Sequence, residues 1–309
     1  MSFAPKFACV GECMIEIANL ADGGAQRRFG GDTLNTAIYL MRLGNDVDYV
    51  TALGDDPYSD EMITAWQAEG LGVGGVRRLP GAVPGLYMIR TDDAGERSFH
   101  YWRDQAPARR MFEGEEGSVL AEGLTAHDWI YLSGITLSIL DVEGIGCLTA
   151  ALAEARKSGT RIAFDGNYRP RGWASRDAAR AAFADLMAHV DLALPTFDDE
   201  QLLYGDLNVE TCLARYHDGG VAEVVVKNGP EGAVVSTEGV VAQVPVPAVV
   251  TAVDTTAAGD SFNAGYLSQR ARGHAAIHAA QAGHRLAAAV IQHRGAIIPI
   301  SAMPEEIEP

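Results

Sequence analysis

Apolar runs that read as strands recur between helical patterns along this chain: FACVGECMIEI (7–17), DVDYVTALG (46–54), DWIYLSG (128–134), RIAFDGN (161–167), DLALP (191–195) and AEVVVKNG (222–229). Amphipathic segments at 33–43, 58–69, 141–158, 176–188 and 208–218 lie between them. Alternation of this kind predicts βαβ units, and so a doubly wound, mostly parallel α/β sheet flanked by helices on both faces.

Two stretches break the alternation. Residues 18–31 (ANLADGGAQRRFGG) read as loop, and 83–103 holds two β-type runs around DDAGE, which reads as a hairpin turn. Extra strands beside a parallel sheet predict a small β-rich lid. Its segments, about 14–32 and 83–104, are inserted into one domain spanning 1–309, where they either close over a substrate or form an ordinary edge hairpin. After short strands within 232–246 comes DTTAAGDSF (254–262), then an Ala- and Leu-rich tail. That tail predicts two helices, about 259–272 and 274–293, broken at Gly273.

Composition narrows the function classes. With 309 residues, 48% hydrophobic and 21% charged, the chain folds around a large core. Its 24 basic and 41 acidic residues give a net charge of −17, which repels a phosphate backbone, so nucleic acid is not an expected partner. A small anion such as a nucleotide is still bindable through backbone N–H groups and one or two cations. Cys9, Cys13, Cys147 and Cys212 show no C-x-x-C spacing and are expected as buried free thiols. No apolar run reaches the roughly 18 residues of a membrane span, and no signal peptide is visible. The expectation is a cytoplasmic protein with no membrane partner.

DTTAAGD opens a predicted helix. Small residues at a helix N-terminus leave unpaired N–H groups at the positive end of the dipole, where phosphate oxygens fit. Asp260 beside such a nest repels an anion, so it is better explained as a general base for a hydroxyl that attacks the phosphate; a simple helix cap is the alternative. Earlier, Gly30-Gly31-Asp32-Thr33-Leu34-Asn35 starts another helix, where glycines allow close approach and Asp32 and Asn35 can bond hydroxyls. Lys227-Asn228-Gly229-Pro230-Glu231-Gly232 follows a buried-looking strand, at the sheet end where α/β proteins bind ligands.

The order G-G-x-x-x-N, K-x-G-x-x-G and D-T-x-x-A-G-D over about 300 residues resembles the ribokinase-like (PfkB) sugar kinases, through Gly30, Gly31, Asn35, Lys227, Gly229, Gly232, Asp254, Thr255, Ala258, Gly259 and Asp260. The resemblance implies Asp260 as catalytic base and the N–H groups of Ala257, Ala258, Gly259 and Asp260 as an anion hole. It implies nucleotide contacts from Asn167, Lys227, Asn228, Gly229, Pro230, Glu231 and Gly232, and sugar contacts from Gly30, Gly31, Asp32 and Asn35. Two departures stand out. Ala257 replaces a usual Gly, and a negative φ is expected there, giving an intact, slightly stiffer anion hole. The family's N-x-x-E appears only as Thr196-Phe197-Asp198-Asp199, with Asp199 a candidate to act on a metal through water.

The same resemblance implies ATP with Mg²⁺; a monovalent cation is a further candidate. A sugar acid presents a carboxylate that arginine binds through paired, charge-assisted hydrogen bonds. With Tyr87, Tyr101 and Arg103 in the lid region and Arg169 in DGNYRPR (165–171), the chain is most similar to the ketodeoxygluconate kinases within the family. The alternatives are a kinase for a neutral sugar or nucleoside, and a noncatalytic binding regulator. An exposed lid edge favours a homodimer. GLGVGG (70–75) follows a helix rather than a strand and reads as a helix end and turn, not a dinucleotide fingerprint. His274 and His278 lack a third ligand and read as solvated.

Overall fold

The computed structural model describes residues 4–19, 24–91, 97–247 and 250–305. Its strands are β1 (Lys6–Val10), β2 (Met14–Asn19), β3 (Ala25–Gly30), β4 (Asp46–Gly54), β5 (Val76–Leu79), β6 (Leu86–Thr91), β7 (Arg97–Trp102), β8 (Trp129–Ser133), β9 (Arg161–Asp165), β10 (Leu192–Ala193), β11 (Glu223–Lys227), β12 (Ala233–Thr237) and β13 (Val240–Val244). Its helices are α1 (Asp32–Arg42), α2 (Pro57–Ala68), α3 (Gly114–Glu122), α4 (Gly134–Ile139), α5 (Val142–Lys157), α6 (Arg176–Met187), α7 (Phe197–Tyr204), α8 (Val209–Asp218), α9 (Ala258–Ala271) and α10 (Ala276–Val290).

Nine strands form the core sheet in the order β13-β12-β11-β10-β9-β8-β1-β4-β5, parallel except where β12 and β13 turn back beside β11. Alternate residues of one strand feed opposite faces: Phe7 and Cys9 join one apolar layer, Ala8 and Val10 the other. The first layer packs against Leu34 and Leu40 of α1, Trp66 of α2, Phe262 and Leu267 of α9 and Leu286 of α10. The second packs against Leu148 and Leu152 of α5, Phe183 of α6, Leu203 of α7 and Leu213 of α8. The expected doubly wound α/β architecture is therefore present.

The apolar run 7–17 is not one strand. It divides at Gly11–Cys13, after which β2 leaves the core sheet for a second, four-stranded sheet ordered β3-β2-β6-β7. This is the lid, and residues 25–30, expected as loop, supply its edge strand. AQRRFG hides that strand from sequence reading because most of its side chains stay at the surface, so no apolar alternation marks it. β6 and β7 pair antiparallel as the expected hairpin; its DDAGE turn at 92–96 lies outside the described residues. α3, α4 and α7 were not expected, whereas β5 begins directly after GLGVGG.

Gly70, with φ +91°, ends α2 and turns the chain toward β5, as the helix-end reading of GLGVGG requires. Cys9, Cys13 and Cys212 are buried, Cys147 is half-buried, and all four are free. Among the described residues, no helix is long and apolar enough to cross a membrane.

Candidate active site

The opening of α9 is built by its two aspartates in different ways. Asp254 is a tether: one carboxylate oxygen accepts from Thr256 N (3.0 Å) and Thr256 Oγ1 (2.7 Å), the other from Gly295 N (2.8 Å). The loop is thereby tied to the segment beyond α10. Ala257 then sits at φ 62°, ψ 17°. The expected negative φ is wrong, and the physical reason lies in the turn itself. A left-handed residue at a helix entrance rotates successive N–H groups toward one point, which is how backbone nests bind anions. An alanine in that conformation costs about 1–2 kcal/mol, which glycine would avoid. Ala258 N bonds Thr255 O at 3.2 Å, while the amides of Ala257, Gly259 and Asp260 donate to no group among the described residues. They are oriented and unspent.

Asp260 projects from the first turn of α9 toward α1. Asn35 Nδ2 donates to its Oδ2 at 2.8 Å, and Thr36 Oγ1 to its backbone oxygen at 3.1 Å. Burial, and then the neighbouring Asp32 carboxylate, push the Asp260 carboxyl up to about 8; the Asn35 hydrogen bond and Lys227 oppose that, while Asp165 adds to it. The glycine pair before α1 has a packing reason. A Cβ on Gly30 would lie 2.3 Å from the Tyr87 hydroxyl, and one on Gly31 2.1 Å from the Glu12 carbonyl oxygen. Small residues let the lid and the β1–β2 link close against the start of α1.

Asp32 accepts from Asn167 Nδ2 at 2.7 Å, joining a residue expected at the sugar to one expected at the nucleotide. Asn167 itself has φ 34°, and its N–H bonds Asp165 Oδ1 at 3.2 Å. Lys227 ends β11 and turns inward. Its Nζ donates to Asp165 Oδ2 and to Asn263 Oδ1, both at 3.0 Å, and Asn263 Nδ2 donates to Asp165 Oδ2 (2.7 Å) and to the Tyr131 hydroxyl (3.0 Å). The remaining loop lies at the end of β11. Asn228 bonds Gly232 O through its N–H (2.8 Å) and Glu231 through its side chain (2.9 Å), Gly229 and Pro230 form the short turn between them, and Gly232 has φ +94°.

The lid brings its own cluster. The Tyr87 hydroxyl donates to Glu16, and Arg103 donates to the buried Glu12. The Arg103 guanidinium lies 5.7 Å from the Tyr101 ring centre, and Arg171 Nη1 bonds Phe99 O at 3.0 Å. Burial raises the Tyr101 hydroxyl above the usual phenol range, against the pull of Arg103, Arg169 and Arg171. Arg103 packs on the Tyr101 ring, and Arg169 and Arg171 lie within electrostatic reach of its hydroxyl.

Asp199 turns both oxygens to Arg169 Nη1, at 2.8 and 2.9 Å. Each Asp199 oxygen keeps a further lone pair with which it can accept from a water. A different acidic group, Glu200, Asp206 and Cys212, has ligand-like spacing, but Arg215 already bonds both of its carboxylates. The carboxylates of Asp32, Asp165 and Asp260 gather near the α9 mouth, oxygen donors of the kind that suit a Mg²⁺ shared with phosphates and water.

The sequence model of the pfkB family carbohydrate kinases matches residues 4–303. The chain belongs to this family. It is 48% identical over 307 residues to the 2-dehydro-3-deoxygluconokinase of Dickeya dadantii, covering 97% of this chain and 98% of that one. The enzyme of the same name from Escherichia coli K12 is 46% identical over 309 residues, covering 97% and 99%. Among solved structures, a fructokinase of Xylella fastidiosa with bound ATP superposes with a TM-score of 0.82 at 21% identity over 97% and 95% of the two chains. The 2-dehydro-3-deoxygluconokinase of Thermotoga maritima gives 0.82 at 19% identity over 96% and 95%. At such identities the structures show the family's fold.

Asp165, Asn263, Tyr131, Thr36, Glu12 and Arg171 join the site without having been singled out in the sequence. For Asp165 a signal existed, since a carboxylate closing the buried run RIAFD needs a buried partner.

Proposed function

We propose that this protein transfers the γ-phosphoryl group of ATP to the 6-hydroxyl of 2-keto-3-deoxygluconate (2-dehydro-3-deoxygluconate), giving 2-keto-3-deoxy-6-phosphogluconate and ADP. The observation that carries the substrate is the arginine set where lid meets core: Arg103 lies 5.7 Å from the Tyr101 ring centre, Arg171 bonds Phe99 O of the lid, and Arg169 pairs with Asp199 on the core side. Arg103 and Arg169 are each shared with a carboxylate, Glu12 and Asp199, but their remaining N–H groups and those of Arg171 can bind a sugar carboxylate through charge-assisted hydrogen bonds that a neutral sugar does not offer. The names of the relatives at 46–48% identity point the same way.

In this reading the amides of Ala257, Gly259 and Asp260, free among the described residues, receive the transferred phosphoryl oxygens, and loop 228–232 borders the nucleotide. Asn35 holds Asp260 so that its carboxylate takes the proton of the 6-hydroxyl; the new O–P bond forms as the bond to the ADP oxygen breaks. Mg²⁺, when bound with ATP, offsets the phosphate charge. Tyr87, Tyr101 and Arg103 descend from the lid onto the sugar, and Arg169 holds the acid end with the nitrogens that Asp199 leaves uncommitted.

ADP release measured with 2-keto-3-deoxygluconate, fructose and ribose under identical MgATP tests the proposal. The sugar acid should exceed either neutral sugar in kcat/KM by at least about 100-fold, the worth of one or two charge-assisted hydrogen bonds. Equal or better turnover of fructose or ribose would overturn the substrate assignment.

A further inference from the structure

Lys227 occupies a position that a lysine rarely accepts without a reason. It is 7% exposed, at the end of a fully buried strand, and its ammonium meets Asp165 and Asn263, which are 3% and 0% exposed. Asn263 stands one turn beyond Asp260 on α9 and also donates to the Tyr131 hydroxyl. The Tyr131 hydroxyl lies 3.3 Å from Thr36 Oγ1, the hydroxyl that donates to the Asp260 carbonyl. A Cβ added to Gly259 would sit 3.5 Å from Lys227 Nζ, so the ammonium lies directly under the α9 mouth.

We infer that Lys227 is a positioning residue for the reaction rather than a nucleotide ligand: its ammonium, locked between Asp165 and Asn263, seats the first turn of α9 and holds a positive charge beneath Asp260. The inference rests on Asp260 being the base of the proposed kinase. The chemistry is a balance of charge. Asp260 faces Asp32 and Tyr39 on α1, Tyr131 on β8, Asp165 on β9 and Lys227 on β11. Among these groups two carboxylates favour keeping the proton on Asp260, and Lys227 opposes them. Without the ammonium, the base would stay protonated to higher pH and the turn that aims it would lose its anchor.

The test is the pH profile of kcat/KM for the acceptor sugar at saturating MgATP, in the wild type, Lys227→Met, Asp165→Asn and Asp260→Asn. The profile is taken with whichever sugar the wild type turns over, so a wrong substrate assignment does not affect it. Lys227→Met should move the acid limb up by about one pH unit, the usual scale for one neighbouring charge, and Asp165→Asn should move it down. Breaking a buried pair for structural reasons alone would not displace the limb in opposite directions. A Lys227→Met enzyme whose only change is a raised KM for ATP overturns the inference, as do limbs that stay put or shift together. Should Lys227→Met fail to fold, Asp165→Asn decides alone: a lower limb supports the inference, an unmoved or higher one refutes it. An acid limb that persists in Asp260→Asn removes the base assignment and this inference with it.

Discussion

Asn35 and Asp260, 225 residues apart in the chain, are joined by an Nδ2-to-Oδ2 hydrogen bond of 2.8 Å. One belongs to the GGDTLN segment and the other to DTTAAGD, so two motifs at opposite ends of the sequence meet at one carboxylate. α1 carries the first and α9 the second, and the two helices cover the same face of the core sheet. The site exists because the fold sets their N-termini side by side.

The left-handed Ala257 yields a stability prediction. Gly at φ 62° escapes the steric cost of about 1–2 kcal/mol but loses about 0.5–1 kcal/mol to backbone entropy. Ala257→Gly should therefore raise unfolding free energy by about 0.5–1 kcal/mol in a urea titration, with KM for ATP changed less than about threefold. A destabilised variant would mean that the alanine is not held in this conformation.

Asp260 links activity to stability through pH. Its carboxyl ionises near the ordinary value of 3.8 when unfolded but is pushed up to about 8 in the fold by burial and Asp32. The folded protein thus keeps the proton longer. Stability associated with that proton is complete below about pH 4 and is lost as pH rises through about 8. Asp260→Asn stays neutral throughout, so its melting temperature should match the wild type near pH 4 and exceed it increasingly as pH rises to about 8.5. A gap that does not widen between those pH values contradicts a proton-retaining carboxyl at Asp260.

The acid-binding arginines separate substrate classes. Arg169→Ala should raise KM for 2-keto-3-deoxygluconate about 10- to 100-fold, the equivalent of losing a charge-assisted bond of roughly 1.5–3 kcal/mol, with kcat reduced less. KM for a neutral sugar should scarcely move. Arg103→Ala should act in the same direction, with an added stability loss because the buried Glu12 is left unpaired. Equal effects on acidic and neutral sugars would place these arginines outside the carboxylate site.

Periodicity made most of the fold legible. α1, α2, α5, α6 and α8 lie within about two residues of the ranges expected from amphipathic spacing, and α9 and α10 within about three of those expected from the Ala- and Leu-rich tail. The lid strand β3 escaped because its polar surface carries no period-2 signal, and the split of residues 7–17 escaped because the run stays apolar while the chain changes sheet. Candidate chemistry was legible where motif glycines and aspartates mark helix mouths. Partnership was not. KNGPEG shows a lysine after a strand, but nothing local reveals that its ammonium turns inward to Asp165, 62 residues away. Nor does AAGD reveal the sign of φ at Ala257, which the tether from Asp254 to Gly295 helps to impose from outside the motif.

The central claim is that Asp260 carries the proton of the attacking hydroxyl, and one measurement addresses it: kcat of Asp260→Asn with 2-keto-3-deoxygluconate and MgATP, followed by ADP release. The asparagine keeps the shape and a hydrogen bond to Asn35, and KM for ATP should stay within about threefold of wild type. The expected result is a fall in kcat of about 10²- to 10⁴-fold, the usual contribution of a general base. A variant that folds, binds both substrates and retains near wild-type kcat would contradict it.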